Sequence, residues 1–399
     1  MGVAGAQVLS RAKALGQIHR AGKWIALLGA AALSACQVVP KQPPRPIDRP
    51  PPVVSEPVGP TLPSDAQRNR VALLVPLTGT NAGVGEAISN AANMAVLDTG
   101  GKTIRVTMYD TAPGAAAAAQ RAIAEGNKLI LGPLLADDVR AVAPVARAAR
   151  VPVITFSNDV GVAGNGVYVM GFAPTQAIER IVAYARSKGV TKFAGLMPAG
   201  LYGQRASTAF LRSVESAGGQ VVSLQTFDRS AGAIGAAITR MSNTSPYDAV
   251  LIADSARVAV QAAPLIRAKG GAGARMLGTE LWNAEGALAA NPALRGAWFA
   301  SVSDGVYTQL STKYRSRFGK GPYRLASLGY DAVLLVSRIG NDWRFGSAFP
   351  ATRLTDAGGF TGIDGAFRFG RDGVAQRALE VQQAGPSGFV VIDAAPKGF

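Results

Sequence analysis

Few side chains in this chain of 399 residues can do covalent chemistry. Cys36 is the only cysteine and His19 the only histidine. Nucleophilic catalysis of the Ser–His or Cys–His kind needs a nucleophile beside a base, and zinc sites draw mainly on thiolate and imidazole. Neither can be assembled from the bulk of the chain. The only Ser-x-x-Lys, Ser10 to Lys13, lies near the N-terminus, which excludes a penicillin-binding transpeptidase of that motif class. Gly101-Lys102-Thr103 has the ending of a phosphate-binding loop, but Val96 stands where its first glycine is required. Acidic pairs remain: Asp137 with Asp138, and Asp254 with Glu280. Two carboxylates can hydrolyse a glycoside, although neighbouring acids commonly cap helices. No catalytic residue, metal ligand or cofactor is assigned, and the chain is expected not to be an enzyme.

Cys36 has a different use. It ends the run Leu33-Ser34-Ala35-Cys36, behind the apolar stretch Trp24–Ala32 and a start carrying Arg11, Lys13, Arg20 and Lys23 without an acid. That order is a secretory leader: basic start, short apolar core, small residues at the cleavage site. The apolar stretch is too short to span a bilayer, which takes roughly 20 residues. The small-small-Cys ending resembles a bacterial lipoprotein box, which implies cleavage before Cys36 and lipidation of its thiol. Residues 1–35 are thus read as a leader, and 36–69 as a lipidated cysteine followed by a proline-rich tether. Prolines from Pro40 to Pro63 fix φ and remove backbone donors, so neither helix nor inner strand forms. Such a tract is a semi-rigid spacer reaching on the order of 100 Å if fully extended. Gln37 rather than an aspartate follows the cysteine, which favours the outer membrane, with the folded part facing the periplasm.

The formal charge is +16. Four of those charges lie in the leader, so the chain beyond it carries +12. A basic surface suits polyanions, but Arg140, Arg147, Arg150, Arg180, Arg186, Arg205 and Arg212 are scattered over solvated helix faces, and no nucleic-acid partner is expected.

Elements that must position any site begin at residue 70. Val71–Val75 is a continuous apolar run, as in a strand buried on both faces. Short β-type runs at Ile104–Tyr109, Lys128–Leu131 and Val151–Thr155 alternate with helical stretches over Gly83–Asp98, Ala115–Glu125 and Asp137–Arg150. After Gly171-Phe-Ala-Pro174 the rhythm resumes with a helix over Thr175–Lys188, a strand over Lys192–Met197 and further pairs to Met276. This alternation predicts an α/β fold with parallel sheets in two lobes.

Several segments resemble type I periplasmic binding proteins: Val71-Ala-Leu-Leu-Val-Pro-Leu-Thr-Gly79, Gly83–Ala95, Leu131-Gly-Pro-Leu134, Val151–Ser157, Leu201-Tyr-Gly-Gln204, Gly329-Tyr-Asp-Ala-Val333 and Gly362–Phe369. The resemblance covers residues 70–399 and implies two Rossmann-like lobes joined by a hinge, with lobe 1 over about 70–173 and 281–345 and lobe 2 over about 174–280 and 346–399. The lipoprotein box and proline tether resemble, within that superfamily, the penicillin-binding protein activators. This implies a lipid-anchored, non-enzymatic regulator whose partner is a peptidoglycan synthase. The leucine/isoleucine/valine receptors share the fold, and an extracytoplasmic solute receptor for an ABC importer of amino-acid-like ligands is the alternative.

One departure bears on the choice. Amino-acid receptors usually carry Ser or Thr after the segment matching Gly132-Pro133-Leu134, where hydroxyl and backbone N–H groups hold the ligand's carboxylate. This chain has Leu135, Ala136, Asp137 and Asp138. Glu280, in Gly-Thr-Glu, matches the family position that receives an amino group. A small-molecule ligand would lie between the lobes at the carboxyl ends of the strands. The candidates there are Thr78, Thr80, Ser157, Asn158, Tyr202, Asp254, Glu280 and Trp282, with Tyr202 and Trp282 stacking on an apolar face.

Overall fold

The computed structural model describes residues 67–283, 286–396 and 398. The leader, Cys36 and nearly all of the tether lie outside the described residues.

Five parallel strands build the first sheet: β1 (Asn69–Val75), β2 (Ile104–Asp110), β3 (Leu129–Leu131), β4 (Val153–Thr155) and β5 (Val167–Val169), in the order β2-β1-β3-β4-β5. Helices α1 (Ala82–Asp98), α2 (Ala115–Ala124) and α3 (Ala136–Ala148) connect them. The side-chain alternation of β1 explains its unbroken apolar run. Val71, Leu73 and Val75 enter one core and Ala72 and Leu74 the other, on opposite faces of the strand.

The second lobe repeats this plan with α4 (Pro174–Ser187), β6 (Lys192–Pro198), α5 (Leu201–Ser216), β7 (Gln220–Phe227), α6 (Ala233–Ser242), β8 (Ala249–Ile252), α7 (Ala256–Ala268), β9 (Arg275–Gly278), α8 (Gly286–Ala290) and β10 (Trp298–Ser301). One glycine in each lobe records the repetition. A Cβ on Gly85 would stand 1.8 Å from the Pro76 carbonyl oxygen, and one on Gly203 1.6 Å from that of Pro198. Both helices α1 and α5 start by pressing their first turns against the end of the preceding strand, where only glycine fits.

The chain then returns to lobe 1 with α9 (Gly305–Phe318), α10 (Ala326–Gly340) and a small antiparallel sheet of β11 (Phe360–Gly362), β12 (Gly365–Phe369) and β13 (Ala375–Arg377). It ends in lobe 2 with β14 (Glu380–Gly385) and β15 (Gly388–Asp393). β14 pairs antiparallel with β10, so the second sheet runs β15-β14-β10-β9-β8-β6-β7.

The fold is therefore the expected two-lobed α/β architecture with parallel sheets. The lobe boundaries differ from those read in the sequence. Residues 281–301 stay in lobe 2, because β10 pairs with β9. Residues 346–377 belong to lobe 1, because Phe349, Phe360, Phe367, Phe369 and Ala375 pack into its core with Leu328, Val333 and Val336 of α10. Three crossings join the lobes: β5 to α4, β10 to α9, and β13 to β14.

Candidate functional site in the inter-lobe cleft

A cavity of about 420 Å³ lies between the lobes. Lobe 1 contributes residues from the segments that follow its parallel strands: Asn81 and Val84 after β1, Leu134 and Leu135 after β3, Phe156 and Asn158 after β4. Arg324 and Leu325 come from the approach to α10, and Phe172 from the first crossing. Lobe 2 contributes Glu280, Leu281 and Asn283, directly after β9. The carboxyl ends of parallel strands thus meet across a crevice, the usual place for a ligand in such sheets.

Glu280 opens a 3₁₀ turn, Glu280–Trp282, that Thr279 caps through its hydroxyl. The Tyr202 hydroxyl, from the first turn of α5, lies 3.2 Å from Glu280 Oε1 and 3.2 Å from Thr279 Oγ1. Glu280 Oε2 is buried without a hydrogen-bond partner. Burial pushes the Glu280 carboxyl up to about 7, against the opposing hydrogen bond from Tyr202. Burial, then the adjacent Glu280, pushes the Tyr202 hydroxyl well above its ordinary value.

On the other wall Arg324 meets Asp364 Oδ1 at 2.6 Å, and the ring of Tyr307 lies 3.8 Å from its guanidinium carbon. Arg377, at the third crossing, donates to the Met170 carbonyl at 2.6 Å and lies over Phe172 at 4.8 Å. Burial pushes the Asp304 carboxyl up, and Arg324 opposes it. Around this hinge the charges are largely buried, and each guanidinium keeps some nitrogens without a hydrogen bond.

A second inter-lobe contact stands beside the cavity. Asp159, which follows β4, is 3 % exposed and meets Arg140 of α3 at 2.6 Å and Arg205 of α5 at 3.3 Å. Arg205 belongs to lobe 2, so this carboxylate ties the lobes together.

The eight sequence candidates separate. Asn158 and Glu280 line the cavity, and Tyr202 reaches it through Glu280. Thr78 is exposed and donates to Asp110 Oδ2 at 2.6 Å, and Thr80 is exposed; neither lines the cavity. Ser157 is buried and accepts from the Asp159 backbone N–H, so it shapes the turn. Asp254 is buried beside Ser255 and Arg229. Trp282 is fully buried in the lobe 2 core, its indole N–H donating to the Asp254 carbonyl at 3.0 Å. It does not line the cavity, because the turn after Glu280 sends its side chain inward over Gly278 and toward Phe299. Sequence reasoning missed Arg324 and Phe172. A cation at the start of a helix opposes the helix dipole, and that misfit was the available signal for Arg324.

A larger groove of about 640 Å³ lies by Gln176, Arg180 and Asp372. Gln176 bonds the β13 backbone on both sides, and Arg180 bonds the Leu379 carbonyl and Asp393. These groups brace the third crossing. Among the described residues no group of three or more His, Cys, Asp or Glu is placed to hold a metal ion. No helix among them is long and apolar enough to cross a membrane.

Comparison with known proteins agrees with this architecture. A leucine binding protein from Thermotoga maritima is 21 % identical, with a TM-score of 0.61 over 82 % of this chain and 98 % of the other. A benzoate-bound solute binding protein of an ABC transporter from Rhodopseudomonas palustris gives 20 % identity and 0.63 over 83 % and 97 %. A branched-chain amino acid ABC transporter ligand-binding protein from Burkholderia xenovorans gives 14 % and 0.69 over 83 % and 96 %. A curated relative, an uncharacterised protein of Rickettsia prowazekii, is 28 % identical over 177 residues, 44 % of this chain. That match spans about half of the relative's length, 47 %.

These findings correct the expected regulator of a peptidoglycan synthase. The similar structures named above are a leucine binding protein and two ligand-binding proteins of ABC transporters, not regulators of a synthase. The features that suggested one, the run Leu33–Cys36 and the prolines from Pro40 to Pro63, lie before the matched residues and say nothing of what the domain binds. A peptidoglycan synthase partner falls with that reading. The family is one of binding proteins and not of enzymes, and it places the folded part outside the cytoplasm. The family model described as periplasmic binding protein matches residues 69–388, and the chain belongs to that family.

Proposed function

We propose that this chain is an extracytoplasmic solute receptor that closes on a small amino-acid-like ligand and presents it to the permease of an ABC importer. The observation that carries the reading is the inter-lobe cavity with Glu280 on its wall, one carboxylate oxygen buried and unpartnered. A ligand ammonium would supply that partner, and its charge would return the carboxyl to the ionised form. Apolar side chains around it, Leu134, Phe156, Phe172 and Leu281, suit an aliphatic or aromatic body. The Asp159–Arg205 pair would hold the closed arrangement. Asn158 and Tyr202 complete the proposed site; Thr78, Thr80, Ser157, Asp254 and Trp282 support it from outside. The test is native mass spectrometry of the protein purified from its own envelope, followed by titration of the recovered compound into Glu280→Ala. A cleft without any recoverable or titratable amine-bearing compound would sink the proposal.

Attachment belongs to the same proposal. Cys36 would carry the lipid and residues 36–69 the tether. Gln37 points to the outer membrane, whereas an importer sits in the inner one. A tether of on the order of 100 Å is the element that would bridge this difference. Fractionation of the envelope decides which membrane holds the chain.

A further inference from the structure

We infer that Arg324 is the anion-binding group of the cleft, and that the ligand presents a carboxylate to its Nε and Nη2 edge. This rests on the receptor reading above and names the ligand's second polar group. Arg324 lines the cavity, and its side chain is 16 % exposed. One nitrogen is committed: Nη1 lies 2.6 Å from Asp364 Oδ1 and 3.0 Å from Ser327 Oγ. Ser327 Oγ in turn donates to Asp364 Oδ2 at 2.7 Å. Tyr307 covers the guanidinium face. The group is thus fixed in plane and direction by residues that take only one of its ends.

The other end has only a distant ion-pair neighbour. Nε and Nη2 are buried and donate no hydrogen bond. Asp304 Oδ1 stands 3.8 Å from Nη2, beyond hydrogen-bond reach. The Nε and Nη2 N–H groups form a parallel fork that matches the two oxygens of a carboxylate. Buried donors left without acceptors are costly, so this edge suits an acceptor that the ligand brings.

Arg324 is the only basic residue among those lining the cavity. The N-terminus of α3, otherwise a favourable place for negative charge, is capped by Leu135 without a side-chain hydrogen bond and carries Asp137 and Asp138 in its first turn. Those acids oppose a carboxylate there. The approach to α10, not the α3 terminus, is thus the favourable side of the cavity for a carboxylate. The ligand class is a small carboxylic acid with an apolar body, with or without an amine for Glu280.

The test reads the guanidinium directly. Arginine Nε–H signals of the ¹⁵N-labelled chain from Gln37 to Phe399 are followed while isovalerate, benzoate, leucine or isoamylamine is added. Arg324→Lys identifies the Arg324 signal by its disappearance. The expected result is a saturable shift of that signal with at least one carboxylate and none with isoamylamine, with carboxylate affinity about tenfold weaker in Arg324→Lys. An unmoved Arg324 signal with all three carboxylates overturns the inference, whatever the fold of the variant. Isoamylamine binding that depends on Glu280 while Arg324 stays silent leaves the receptor reading standing and removes this one. Silence toward all four probes overturns the inference as well.

Discussion

Glu280→Gln should remove the loss of stability that the wild-type protein suffers as pH rises through neutrality. In the folded chain burial holds the Glu280 carboxyl at about 7, against an ordinary value of 4.5. The folded state therefore binds the proton more tightly than the unfolded state, and stability falls as pH rises through the interval between those values. It is fully present below about 4.5 and lost once the pH passes about 7. The whole interval corresponds to about 3 kcal/mol against the charged form. Between pH 5 and pH 8 the part that develops is about 2 to 3 kcal/mol, because some is already lost at pH 5. Glutamine keeps the Oε1 acceptor for Tyr202 and cannot ionise. Its amide brings a fixed penalty for an unpartnered donor, roughly 1–3 kcal/mol, but that penalty is the same at both pH values. Urea denaturation of both proteins at pH 5 and pH 8 isolates the term. The stability difference, variant minus wild type, should grow by about 2 to 3 kcal/mol from pH 5 to pH 8. A difference that stays constant with pH would refute the assignment of a buried, near-neutral carboxyl to this position.

Trp282→Ala should cost about 3–5 kcal/mol in unfolding free energy, since the indole is fully buried against Gly278 and Phe299. Ligand affinity of the folded variant should be unchanged, measured by calorimetry well below its melting temperature. Arg205→Ala removes one of two cations on Asp159 and leaves Arg140 in place. Because Arg205 is 44 % exposed, its pair is worth about 1 kcal/mol net. Apparent ligand affinity should therefore drop roughly 3- to 10-fold, less at high salt, with a larger radius of gyration in solution scattering. Cys36→Ser should abolish incorporation of labelled palmitate and leave the leader uncleaved, read by metabolic labelling and mass; continued labelling would refute the attachment site.

The parallel sheets were legible because their strands are buried on both faces. Val71–Val75 and Ala249–Ala253 show it as unbroken apolar runs, and their connecting helices carry the complementary small residues. The return to lobe 1 through the helix near Leu325 was legible, but where that return begins and ends was not. Trp298–Ser301 is too short to stand out, and α9 buries only Tyr307, Leu310 and Tyr314 along an otherwise polar helix. Which core the aromatic-rich tail joins depends on contacts distant in sequence. In the site, Glu280 was visible as a motif residue, whereas Trp282 was misplaced beside it. Neighbours in sequence face opposite ways around a 3₁₀ turn. Arg324 was invisible because its value comes from Asp364, Ser327 and Tyr307, which reach it from separate segments.

The three crossings also bear on how the chain reaches its folded state. Synthesis delivers the amino end first, and β1–β5 arrive together with α1, α2 and α3. The helix that completes their core, α10, follows only after the whole of β6 to β10 has passed. During that interval the Val71, Leu73 and Leu131 face is covered by α1 but not yet by α10, and closing so long a connection is entropically costly and slow. Lobe 2 waits in its turn for β14 and β15, the final strands. Each half completes its core only with late segments, so a chain released early presents two unfinished sheets.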